Sequence, residues 1–176
     1  MNHQTAYEHD AIRHSDREMR AHEDHHESLR LWLRLLSCSL LIEGEIRQRL
    51  RTHFDVTLSR FDLLAQLERH REGLTMGELT RRMMVSGGNV TALVDQLEQE
   101  KLVQRHADPQ DRRSFRVRLT AAGRRGFHRM AGQHEQWVID LFSGLGDRQR
   151  AQLHRLLGDL KSAVHQHQAH AQEESQ

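Results

Sequence analysis

Guanidinium groups carry the chemistry that this sequence offers. Arg112 and Arg113 stand side by side in the loop-like stretch Ala107–Ser114, which holds the only proline of the chain. Beyond it, Phe115, Val117 and Leu119 alternate with Arg116 and Arg118. That is the period of a strand with one apolar and one basic face. Only two lysines occur, Lys101 and Lys161, so any clamping of phosphate rests on arginine, whose planar fork of donors matches phosphate oxygens. Upstream lies Ser86-Gly-Gly-Asn89-Val-Thr91, followed by Leu93, Val94 and Leu97 at helical spacing. The opposite face shows Gly88, Asn89, Thr91, Ala92, Asp95 and Gln96. Amide side chains bond base edges, and hydroxyls bond bases or phosphates. The plainer reading is a helix start with Ser86 as N-cap. In the loop, Asp111 can pair with Arg113 and only shape the turn.

These residues need elements to hold them. Thr75-Met-Gly-Glu78 has the pattern of a capping box opening one short helix, with Leu79 and Met83 on its buried edge. The Ser86 helix follows, then a hairpin with a basic tip. A short helix pair joined by small residues, its second helix polar at the start, suits reading of a DNA major groove.

The stretch Thr75–Thr120 resembles the winged helix-turn-helix of the MarR family of bacterial transcription regulators. The resemblance rests on Val90-Thr91, Leu93-Val94-Asp95, Leu97-Glu98, Leu102-Val103-Gln104-Arg105, Asp111-x-Arg113, Val117-x-Leu119-Thr120 and Gly123, and it extends over about residues 28–165. It implies a homodimeric repressor on a pseudo-palindromic site in double-stranded DNA, released or recruited by a small aromatic acid. Acids of the hydroxybenzoate, hydroxycinnamate or hydroxynicotinate type are the ones implied. The DNA-binding residues are then Ser86, Gly88, Asn89, Thr91, Gln96, Arg112, Arg113 and Arg116, with Asp111 orienting Arg113. Many members carry an arginine after the threonine of the reading helix. Here the position is Ala92, which leaves fewer base contacts or moves them to Asn89 and Gln96.

Composition sets limits. Apolar residues make up 36% and the mean hydropathy is −0.79, low for a self-sufficient globule and in keeping with a helical subunit that borrows core from a partner. The net charge of +1 is unevenly spread. Residues 1–27 hold three arginines against seven acids, whereas residues 74–126 hold ten basic residues against six acids. Positive charge thus gathers on the winged module. One cysteine, Cys38, excludes an internal disulfide, and its place in an apolar run reads as an inert core thiol. The run Leu31–Ile42 is too short for a bilayer and is broken by Arg34. With no signal-peptide pattern, the expected location is cytoplasmic. No nucleophile elbow, phosphate loop or metalloprotease pattern is present, so neither an enzyme nor a cofactor is expected. Histidines cluster at His22, His25 and His26, and at His165, His167 and His170. Neither cluster has structural-zinc spacing, and no metal site is expected. A metal- or redox-sensing regulator on the same scaffold is the alternative, and a non-DNA-binding helical dimer or enzyme is a third.

The fold class expected is mainly α with a small β-hairpin wing, flanked by N- and C-terminal dimerisation helices. Residues 1–27 read as a mobile acidic, histidine-rich arm, 28–58 and 121–168 as the dimerisation region, 59–120 as the winged module and 169–176 as a flexible tail that begins to fray after His165. Ser28 starts a long helix to about Phe54. Ser59-x-x-Asp62 reads as a capped start for the next, with Phe61, Leu64 and Leu67 inward. Thr120 opens a third long helix, and Asp147 caps the last, whose stripe is Leu153, Leu156, Leu157, Leu160 and Val164. In the related family the effector pocket lies between the dimerisation helices and the winged module. The candidates there are Arg34 and Trp32 on the first helix, His134 on the fifth, and His53 and His70 at helix ends. Arg34 also suits an intersubunit salt bridge, and His134 a core histidine.

Overall fold

The computed structural model describes residues 27–83, 90–108 and 114–173. Among these there are six helices and a three-stranded antiparallel sheet. In chain order they are α1 (Glu27–Phe54), α2 (Leu58–Arg69), β1 (Leu74–Thr75), α3 (Met76–Arg82), α4 (Val90–Gln99), β2 (Val103–Ala107), β3 (Phe115–Leu119), α5 (Ala121–Leu141) and α6 (Asp147–Glu173). The chain forms two compact units that divide within α5, after Glu135. No helix among the described residues is long and apolar enough to cross a membrane.

In the first unit the core lies where α2, α3 and α4 meet the sheet. Leu50, Leu63, Leu64, Leu67, Leu79, Val94, Leu97, Val103 and Val117 are fully buried there. The sheet order is β1-β3-β2, with Leu74 opposite Val117 and Val103 opposite Leu119. A two-stranded hairpin was expected from the sequence. The third strand, Leu74–Thr75, is too short to show a period of two. It makes β3 the central strand.

Local signals explain the element ends. The capping box at Thr75 forms as expected: Glu78 N donates to Thr75 Oγ1, and Thr75 N donates to Glu78 Oε2 at 2.8 Å. At α2 the cap is Thr57, not Ser59; its hydroxyl accepts from Arg60 N at 3.3 Å. Ser59 falls within the first turn instead. Asp147 is likewise the first helical residue rather than the cap of α6.

The exit of α4 positions both the wing and α5. Leu102 N donates to Leu97 O and Lys101 N to Glu98 O, the paired bonds of a Schellman ending. The residue in the left-handed position is Lys101, at φ 60°, where glycine is usual. Thr120 then sits on the same turn, donating Oγ1–H to Lys101 O at 2.7 Å and accepting from Gly123 N at 3.0 Å. A Cβ at Gly123 would stand 1.9 Å from Leu102 O. The Leu-Thr-x-x-Gly pattern is therefore a packing requirement: threonine caps α5, and glycine lets it lie on the turn.

In the second unit α6 runs to Glu173, past position 168 where a tail was expected. Its alanine, glutamine and histidine residues carry no helix breaker. Leu153, Leu156, Leu157, Leu160 and Val164 of α6 are exposed. In the first unit Leu29, Leu31, Trp32, Leu40 and Leu41 of α1 are exposed as well. Cys38 is also exposed, which corrects its reading as a core thiol: the run Leu31–Ile42 is apolar, but its own subunit does not cover it.

Candidate nucleic-acid interface

Helix α4 buries Val94 and Leu97 and leaves Thr91 and Ala92 exposed. Its carboxylates are tied down by two arginines from outside the helix. Arg105 of β2 reaches back to both Asp95 and Glu98, and its own N–H donates to Glu98 Oε1 at 3.0 Å. The side-chain bond to Asp95, with the nearby Glu98 charge, raises the guanidinium pKa. Arg60 of α2 holds Glu100, just past the end of α4, with both terminal nitrogens. That bond keeps the Glu100 carboxyl below its usual range. The helix is thus fixed at Asp95, Glu98 and Glu100, while its first turn faces outward.

The structure sorts the expected DNA-binding residues. Ser86, Gly88, Asn89, Arg112 and Arg113 lie outside the described residues. Thr91 is exposed on the outward face. Gln96 is exposed, and its amide donates to Glu100 Oε1 at 3.3 Å, toward α2. Arg116 is engaged within the protein. Its Nε donates to Asp108 Oδ2 at 2.8 Å, its Nη1 to Gly73 O at 3.1 Å, and Glu78 lies 3.8 Å away. Asp108 is buried. Arg118 likewise donates to Glu72 O at 2.8 Å. The basic face of β3 is therefore a set of braces, because β1 and its preceding turn occupy the space beside it. Alternation revealed the basic face but not its neighbours.

The effector candidates spread along the chain. Trp32 and Arg34 are exposed on the first half of α1, and His53 is exposed at its end. A rise of about 1.5 Å per residue puts Trp32 and His53 roughly 30 Å apart, so one small molecule cannot touch both within a protomer. His70 ends α2, where its Nδ1–H donates to Gln66 O at 2.8 Å. His134 is half-buried and stacked on Phe61 at 4.8 Å, with Phe127 5.6 Å from Phe61. Burial lowers its pKa. Nearby, Glu68 gathers Arg124 and His128 of α5 at 3.1 Å each, with Arg71 at 3.6 Å. The sequence did not single out Glu68 or Arg60, because their partners on other elements lie 40 to 60 residues away. Among the described residues, no three His, Cys, Asp or Glu side chains are grouped to hold a metal.

Residues 54–114 match the sequence model of the MarR family. This segment is similar to the winged helix of that family. The matched residues include Asp111 and Arg113, part of the pattern that carries the resemblance. Over 78 residues the chain is 31% identical to the uncharacterized HTH-type transcriptional regulator YsmB of Bacillus subtilis, covering 44% of this chain and 53% of that one. The chain spans about half the length of the curated relatives it matches at this level of identity. A MarR family transcriptional regulator from Silicibacter pomeroyi superposes with a TM-score of 0.67 at 28% identity, over 78% of this chain and 94% of that one. The MepR–DNA complex of S. aureus superposes with a TM-score of 0.61 at 25% identity, over 76% of this chain and 96% of that one.

Proposed function

We propose that this chain is a DNA-binding transcriptional repressor acting in the cytoplasm, a homodimer on a pseudo-palindromic operator. Its DNA affinity is altered by a small aromatic acid of the hydroxybenzoate, hydroxycinnamate or hydroxynicotinate type. The observation that carries the reading is α4, braced by Arg60 and Arg105 with the outer face of its first turn exposed. A helix held this way by its scaffold suits insertion into a major groove. The MarR-family match and the likeness to MepR, a protein crystallised with DNA, support the same reading. The exposed leucines of α1 and α6 support a homodimer, since such apolar surface marks an interaction site. Two copies would present two reading helices to two half-sites.

The test is selection of bound fragments from a random DNA pool, followed by a salt titration on the selected duplex. The expected result is an inverted repeat bound with a steep salt dependence. Absence of salt-sensitive DNA affinity would remove the DNA-binding reading.

A further inference from the structure

The stretch from Met83 to Glu100 holds no lysine or arginine. Cations stand on either side of it, Arg81 and Arg82 in the last turn of α3 and Lys101 beyond α4. The charge of the stretch itself is negative, from Asp95, Glu98 and Glu100. In a helix-turn-helix, base edges meet the N-terminal residues of the second helix. The described residues that α4 exposes there are Thr91 and Ala92. They bring two methyl groups to that surface, Thr91 Cγ2 and Ala92 Cβ. The polar side chains of the next turn are drawn elsewhere. Asp95 Oδ1 is held by Arg105, and the Gln96 amide donates to Glu100 Oε1 at 3.3 Å.

We propose that α4 reads thymine, by apolar contact of Ala92 and Thr91 with its C5-methyl group. The inference rests on the DNA-binding reading and names the base that this helix selects. Guanine offers the major groove two acceptors, N7 and O6, and its usual partner is the donor group of an arginine or a lysine. Helix α4 brings neither, and its half-exposed Asp95 is an acceptor as well. Thymine carries the only methyl group among the four base edges, and the methyls of alanine and threonine suit it. Selection then comes from water released between methyl groups, together with the misfit of guanine. Arg105 has a part in this. It neutralises Asp95 and Glu98, which would otherwise repel the phosphates that flank the groove.

The experiment uses the full chain and a duplex that it selects from a random pool. Each thymine is replaced in turn by uracil, which differs only in lacking the C5-methyl group, and affinity is read by fluorescence anisotropy. The expected result is at least one thymine at which uracil weakens binding about fourfold, the effect of one buried methyl group. At that position the penalty should shrink in Ala92→Gly or in Thr91→Ser, which keeps the hydroxyl, because the methyl partner is gone. Should Ala92→Gly fail to fold, Thr91→Ser and the wild-type uracil scan decide. Uracil tolerated at every position would overturn the proposal. So would a uracil penalty that is the same in wild type and in every folded variant. Loss of salt-sensitive affinity for the whole pool is a different result. It removes the DNA-binding reading itself, whereas indifference to uracil in a tightly bound duplex removes only the thymine assignment.

Discussion

Arg113 and Arg116 look alike in the sequence, but the wing separates their predicted effects. Loss of a side chain that touches phosphate lowers both affinity and the slope of log K against log salt, by about one unit per contact. Arg116 braces Asp108 and Gly73 instead. Arg116→Ala should therefore weaken DNA binding with the slope unchanged and lower the melting temperature, while Arg113→Ala should flatten the slope. A salt titration of both variants checks this, and a flattened slope in Arg116→Ala would return it to the DNA surface. His134 supplies a second residue-scale prediction. Its folded pKa lies below the ordinary 6.5 because burial disfavours the cation. The unfolded chain then binds more protons as pH falls below 6.5, so the contribution of neutral His134 to stability is full above that pH and is lost below it. His134→Phe keeps a ring against Phe61 and removes the titration. Thermal melts from pH 7.5 to 5.5 should fall less steeply in the variant than in the wild type.

The elements themselves were largely legible. The capping box at Thr75, the extent of α1 and the opening of α5 at Thr120 follow from short-range patterns and stand in the structure. The start of α2 was misread because two hydroxyl residues, Thr57 and Ser59, lie two apart. The backbone at Thr57 is extended, with φ −76° and ψ 154°, which is what a cap requires and what sequence does not display. Thr57→Ala should cost about 1 kcal/mol and Ser59→Ala much less, as read by denaturant unfolding. Equal costs would place the cap elsewhere. The candidate site was less legible than the helices. What orients α4 is a set of ion pairs to α2 and β2, and no periodicity encodes a partner 40 residues away. The exposure of Cys38 was missed for a related reason: an apolar run shows that a surface seeks cover without showing whose.

At the scale of the whole molecule, that uncovered surface makes the prediction. Leu156 and Leu160 are exposed on α6 of a single chain. If a second copy covers them, Leu156→Asp together with Leu160→Asp buries two carboxylates at a cost of several kcal/mol. Sedimentation should then give monomer, with operator affinity lost. A stable dimer that still binds DNA would take α6 out of the interface.

Lys101 carries a consequence of another kind. A lysine holds the left-handed turn from which both the wing and α5 depart, at a strain of about 1 kcal/mol that asparagine or glycine would relieve. Every lysine codon is one nucleotide from an asparagine codon. Relief is thus a single point mutation away, and a genetic screen for revertants of a heat-sensitive core variant should recover Lys101→Asn among its first global suppressors.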